Sequence, residues 1–315
     1  MADRTSAGGT ALRLIAAVFT PLDGRGEVVL DRIAEQASEL RERGVDGAFV
    51  CGTTGEGPSL STGERLAVAE RWLQAAGRLE VLVHVGHASL REAQTLAEAA
   101  GRAGAKAIAC CAPFYLKPAG GEALVDFCAE VAAAAPGTPF LYYHIPALTH
   151  VSPSMPSFIE LARARIPSFA GVKFTSPDLV EMARSVERAG TDVAILSGPD
   201  ELLLQALTVG VRGAVGSTYT FFAPQYRQMF SAYLAGDRAT AERVQRRLRR
   251  LIDVGSAHGG LPAFKAMTGW LGVDCGPCRL PARTLDAGGV AALRRDIEAA
   301  GVGDLLAGRT ASTVD

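Results

Sequence analysis

The chain has 315 residues, 48% of them hydrophobic and 21% charged, with a formal net charge of -1. This is a globular composition long enough to bury a large core, and its balanced charge leaves no electrostatic footprint for nucleic acid or an anionic membrane surface. No apolar run approaches the roughly 20 residues of a membrane span, and the start of the chain lacks the apolar core of a signal peptide.

Short apolar runs alternate with helical periodicity along the chain. Residues 14–19 are apolar and run into Thr20-Pro21, and 30–43 has helical spacing that stops at Gly44. A strand is expected at 47–50, then a helix at 62–76 with Ser61 as N-cap and Glu64 three residues on, a capping box. The alternation continues with a strand at 81–85, a helix at 89–103, a strand at 107–111, a helix at 121–135, a strand at 140–143 and a helix at 154–164. A strand at 171–174 precedes a helix at 177–188, for which Ser176 is the expected cap and Pro177 the first helical residue. A strand at 193–196, a helix at 200–208 and a strand at 213–215 complete the pattern. Four further helices follow, at about 224–235, 238–254, 261–271 and 289–300. The basic stretch 243–250 reads as a solvated helix face, because the total charge balances.

Eight nearly continuous apolar runs are what parallel strands buried on both faces look like. Eight strand-helix units in a chain of this length predict an α/β fold, a (β/α)8 TIM barrel over 13–223, with a helical extension over 224–315 and a flexible tail over 1–12. The residues 309–315 read as a second tail. A doubly wound open sheet is the alternative, weakened because no glycine-rich dinucleotide loop follows the first strand. Of the six cysteines, Cys51, Cys110, Cys111 and Cys128 lie in apolar runs, which suits buried free thiols in a cytoplasmic protein. Cys275-Gly-Pro-Cys278 lacks the second pair or nearby histidines that a zinc site needs, and reads as an ordinary loop.

The chemistry-bearing residues fall at the strand ends, where barrel enzymes gather their functional groups. Lys173 sits in the apolar run 171–176. Burying its cation is costly, so its pKa is expected to fall toward the neutral amine that attacks a ketone. Tyr143 ends the preceding strand and offers a proton, and the pair suggests Schiff-base chemistry on a carbonyl. A snorkelling lysine is the alternative. Gly52-Thr-Thr-Gly-Glu56 is a turn whose N–H groups and hydroxyls suit a carboxylate, or a turn that merely needs its glycines. Gly198-Pro-Asp-Glu201 and Gly216-Ser217 follow the seventh and eighth strands.

With Gly52-Thr-Thr-Gly-Glu56, Tyr143 and Gly171-Val-Lys173 in these places, the chain resembles the dihydrodipicolinate synthase/N-acetylneuraminate lyase family of pyruvate-dependent class I aldolases, from Ala16 to Arg283. The segments 143–149, 112–118 and 213–219 are similar to its lyase branch. The resemblance implies an oxo-acid lyase that reversibly cleaves N-acetylneuraminate to N-acetylmannosamine and pyruvate, with no metal and no cofactor beyond a lysine-pyruvate imine. It implies that Lys173 forms the imine, that Tyr143 moves protons, and that Thr53 and Thr54 bind the pyruvate carboxylate, one threonine relaying protons. Thr175, Gly198, Asp200, Glu201 and Ser217 match positions that hold the hydroxylated tail of the sugar acid, and Tyr115 the position that reaches into a neighbouring subunit of a homotetramer. Pro199, His150 and Thr220 depart from the branch's usual residues, the last two replacing a glycine and an asparagine.

Leu148 discriminates within the family: synthases carry there an arginine that pairs with the carboxylate of their aldehyde substrate. Another 2-keto-3-deoxy sugar acid is the alternative substrate. A non-catalytic pyruvate-binding barrel would be expected to lose Lys173 or Tyr143, and a phosphate-binding barrel would want an arginine or lysine near 213–217.

Overall fold

In the computed structural model, which describes residues 12–307, every one of the apolar runs forms a strand. They are β1 (Arg13–Ala17), β2 (Gly47–Val50), β3 (Glu80–His84), β4 (Ala107–Cys111), β5 (Phe140–His144), β6 (Phe169–Phe174), β7 (Ala194–Ser197) and β8 (Gly213–Gly216). The strands neighbour one another in chain order and close into a barrel, parallel in register from β3 through β8. This is the (β/α)8 architecture the alternation predicts. The helices between and after them are α1 (Arg32–Glu42), α2 (Thr62–Ala75), α3 (Leu90–Arg102), α4 (Gly121–Ala133), α5 (Pro146–Thr149), α6 (Met155–Arg165), α7 (Leu179–Ala189), α8 (Leu203–Thr208), α9 (Tyr219–Leu234), α10 (Arg238–Ala257), α11 (Leu261–Leu271) and α12 (Ala287–Ala299). Among the described residues no helix is long and apolar enough to cross a membrane. The tails expected at 1–12 and 309–315 lie outside the described residues, apart from Leu12, which is buried.

The chain divides into two compact units. One comprises Glu80–Gly216 with the segment ending at Ile15, and contains β3 to β8 with α3 to α8. The other joins Ala16–Leu79 to the chain from Ser217 onward, and contains β2, α1, α2 and α9 to α12.

Local chemistry sets the helix boundaries. Ser61 Oγ accepts from Glu64 N at 3.3 Å while Ser61 N donates to Glu64 Oε2 at 2.7 Å, so the capping box at α2 forms as expected. The start of α7 differs from expectation. Asp178, not Ser176, caps it, its carboxylate accepting from Glu181 N at 2.8 Å, and Ser176 Oγ instead accepts from Asp178 N at 3.3 Å in the preceding turn. An ionised oxygen is the stronger acceptor for an orphan N–H at a helix start. Helix α9 begins at Tyr219, five residues before Pro224; the backbone leaves helical geometry at Phe222 (φ -120°, ψ 24°), a kink of the kind an interior proline produces.

Alternation along β5 sends neighbouring side chains to opposite faces. Tyr142 stacks on Phe158 of α6 with ring centroids 4.4 Å apart, and His144 lies 5.0 Å from Phe174, both in the layer between barrel and helices. His144 is fully buried and neither ring nitrogen has a protein hydrogen-bond partner. Burial lowers its pKa to about 4. The unfolded chain therefore takes up a proton that the folded chain refuses, so stability is intact above pH about 6.5 and is lost as pH falls toward 4. The loss should reach on the order of 3 kcal/mol. Urea unfolding at pH 7 and pH 4.5 checks this: His144→Phe should flatten the acid loss, and an unchanged slope would move its origin elsewhere.

Candidate active site at the strand ends

Register places Cys111, Tyr143, Lys173 and Leu196 at one level across β4 to β7, since Cys111 pairs with Tyr143, Tyr143 with Lys173, and Lys173 with Leu196. Lys173 and Tyr143 are each 4% exposed. The lysine Nζ stands 3.9 Å from the centroid of the Tyr143 ring, a cation–π distance. His84, at the end of β3, meets the same ring edge-on, with centroids 5.6 Å apart and planes at 89°. Two residues before the lysine, Gly171 has no side chain, and Leu141 and Ala194 occupy the space one would need. The packing beneath Lys173 is thus close.

That packing sets the electrostatics. Burial lowers the Lys173 pKa to about 7, against smaller opposing pulls from Asp200 and Cys111. Near neutral pH a large share of the amine is unprotonated, the form able to attack a carbonyl. The buried, low-pKa lysine predicted from its place in an apolar strand is what the structure contains.

Further polar groups lie at the ends of β6 to β8. Thr175 follows β6 and its hydroxyl sits against Gly198, where any side chain would overlap it. Neither Thr175 Oγ1 nor the fully buried Ser197 Oγ has a protein partner. Asp200 opens a short 3-10 turn after Pro199, and Glu201 is half-buried beside it. The Asp200 carboxylate rests against Gly216, so that a methyl there would overlap it. Gly216→Ala should therefore push the carboxylate aside, remove its upward pull and lower the Lys173 pKa further. The check is the pH midpoint for alkylation of Lys173, which should move in the acid direction; an unmoved midpoint would show that the carboxylate does not act on the amine.

The other unit, taken by itself, contains the turn after β2. Glu56 N donates to Thr53 O and Gly57 N to Gly52 O, both at 3.0 Å, and Thr20 Oγ1 donates to Gly55 O at 2.6 Å. Thr53 is exposed, whereas Thr54 is buried, its hydroxyl 2.6 Å from that of Ser217. Among the predicted residues the structure thus joins Lys173 to Tyr143, Thr175 to Gly198, and Thr54 to Ser217. Tyr115 stands apart in this chain, 82% exposed beside Leu116, also 82% exposed. Leu148 is exposed on α5, and His150, at the helix end, takes a left-handed φ of 53°. Thr220, shorter than the asparagine it replaces, lines a cavity of about 10 Å³ with Gln36, whose amide has no protein partner.

His84 is the residue beside the Tyr143 ring that the sequence does not single out, since a lone histidine ending an apolar run reads equally as a core residue. The cysteines are free. Burial raises Cys51 to about 11, Cys275 to about 12 and Cys278 to about 11, which keeps these thiols protonated. Among the described residues no group of three or more His, Cys, Asp or Glu side chains is placed to hold a metal ion.

Known proteins resemble this chain over most of its length. The pattern of the Dihydrodipicolinate synthetase family matches residues 10–300. The chain is 43% identical over 274 residues to N-acetylneuraminate lyase of Rattus norvegicus, covering 85% of this chain and 86% of the relative. Among solved structures it is similar to Proteus mirabilis N-acetylneuraminate lyase, with 35% identity, a TM-score of 0.89, and coverage of 93% of this chain and 100% of the other. Dihydrodipicolinate synthase from Aquifex aeolicus superposes with a TM-score of 0.84 at 27% identity, over 93% of this chain and 99% of the other.

Proposed function

The chain belongs to the dihydrodipicolinate synthetase family, and from that premise we propose that it is a class I aldolase, a carbon-carbon lyase that reversibly cleaves N-acetylneuraminate to N-acetylmannosamine and pyruvate. The observation that carries the chemistry is the buried Lys173, with its pKa near 7 and its amine over the Tyr143 ring. The 43% identity to the Rattus norvegicus lyase and 35% to the Proteus mirabilis lyase, against 27% to the Aquifex aeolicus synthase, support the choice of substrate, as does Leu148, which offers a second carboxylate no charged partner.

The neutral amine of Lys173 adds to the C2 ketone of the open-chain sugar acid, and loss of water gives the imine. Protonated, the imine is an electron sink. Tyr143 takes the proton of the C4 hydroxyl as the C3–C4 bond breaks, and the bonding pair moves into the enamine. The enamine is reprotonated at C3, and water releases pyruvate from the lysine. The lysine supplies the sink that a metal would otherwise provide. Thr53 and Thr54 bind the carboxylate, and the hydroxyl pair of Thr54 and Ser217 is a route for the proton. Thr175, Gly198, Asp200, Glu201 and Ser217 hold the hydroxylated tail. Carboxylates accept from several hydroxyls at once, and the unpartnered hydroxyl of Thr175 suits such a ligand.

Tyr115 serves the site of a neighbouring subunit in a homotetramer; an aromatic residue 82% exposed on a loop next to β4 supports this. The barrel occupies 13–223 and the helical extension begins at 224. Free cysteines support a cytoplasmic setting. Pyruvate release from a panel of sugar acids tests the substrate. N-acetylneuraminate should be cleaved well and short 2-keto-3-deoxy acids poorly, because a site built to hydrogen-bond hydroxyls is left with unpaired polar groups by analogues lacking them. Equal rates on 2-keto-3-deoxygluconate, or efficient condensation with aspartate semialdehyde, would overturn it.

A further inference from the structure

Behind the threonine turn lies an ion pair that the chemistry above does not use. Glu56 is 4% exposed and Lys265 of α11 1% exposed, and Lys265 Nζ donates to Glu56 Oε1 at 2.5 Å. The other carboxylate oxygen accepts from Arg279 N at 2.7 Å. The Arg279 guanidinium grips both carboxylate oxygens of Glu64, at 2.8 and 2.7 Å, and donates to Ser59 O at 3.0 Å and to Gly26 O. Thr268 ties the Lys265 helix to the loop at Cys275, since its hydroxyl donates to Lys265 O at 2.6 Å and accepts from Cys275 N at 2.9 Å.

We propose that the Glu56–Lys265 pair is a positioning device: it fixes the turn that presents Thr53 and Thr54, and so sets the affinity for the 2-oxo acid carboxylate without touching it. This rests on the proposed function above. Glu56 occupies left-handed backbone, φ 54°, and that conformation shapes the turn whose end donates to Thr53 O. A glutamate adopts such a backbone at a cost, so something must hold it there. Two fully buried charges are a poor means of stabilising a fold, because a well-packed neutral pair is commonly as stable or more so. They are a good means of fixing a distance, because neither partner can leave without stranding the other.

The half-saturating pyruvate concentration, read as borohydride-trapped Lys173 by mass spectrometry, separates positioning from plain stabilisation. Lys265→Met alone should destabilise, since it leaves a buried carboxylate unpaired. In Lys265→Met/Glu56→Gln no charge is stranded, so the urea midpoint should recover while half-saturation stays raised about tenfold or more, within what a displacement of about 1 Å costs a reactive complex. Trapping at saturating pyruvate should still reach the wild-type extent. Lys265→Arg, which keeps the charge and lengthens the contact, should raise half-saturation in the same way. A wild-type half-saturation in either the double variant or Lys265→Arg overturns the proposal. Absence of any adduct in the wild-type protein would instead overturn the reading of Lys173.

Discussion

Lys173→Met should lose essentially all turnover and the borohydride adduct, by roughly 10⁶-fold, the scale on which enzymes lose rate when their covalent nucleophile is deleted. The same substitution should stabilise the fold at neutral pH. Burial holds the lysine at about 7 instead of the ordinary 10.5, so between those values the unfolded chain binds a proton that the folded chain does not. The deficit is fully present below pH 7 and disappears as pH rises through 10.5, and it amounts to about 5 kcal/mol at its largest. Methionine removes the deficit, offset in part by the lost attraction to Asp200. The wild-type and variant urea midpoints should therefore differ most at pH 7 and converge toward pH 10. A variant less stable than wild type across that range would mean the lysine is not held against its own hydration, and activity in it would place the nucleophile elsewhere.

Tyr143→Phe separates two functions of one ring. The aromatic face that meets the Lys173 amine at 3.9 Å survives the change, and only the phenol oxygen goes. Imine formation with pyruvate should persist, while turnover falls by roughly 10²–10⁴-fold, the usual worth of a placed general acid-base group. Trapping and steady-state rates on one preparation give both quantities. Near-normal turnover would assign the proton transfer to another group, with His84, edge-on to the same ring, the first to test.

The barrel was legible because buried parallel strands write their burial directly into sequence, as runs of apolar residues broken by helical periodicity. Lys173 and Tyr143 were legible for the complementary reason: a cation and a phenol interrupt such runs, and interruptions of a core are costly. His84 interrupts its run too, but a lone histidine in an apolar segment is equally a core residue, as fully buried His144 shows. Lys265 was hidden more thoroughly. In the helix Leu261–Leu271 it reads as a surface lysine, and its carboxylate partner is 209 positions away. Local pattern carries no record of such a pairing. The start of α7 was misplaced because Ser176 and Asp178 are both good caps two residues apart, and the choice between them is made by acceptor strength.

The distance in sequence between Glu56 and Lys265 has a consequence during synthesis. At roughly 5–20 residues per second, the lysine leaves the ribosome some 10–40 s after the glutamate, since 209 positions separate them. For that interval the nascent chain carries a carboxylate whose eventual burial is unfavourable, and the unit that joins Ala16–Leu79 to the chain from Ser217 onward stays open. Chains arrested before α11 would keep the threonine turn loose however completely their strands had formed, so an unfinished polypeptide would have little hold on a metabolite that the finished one captures.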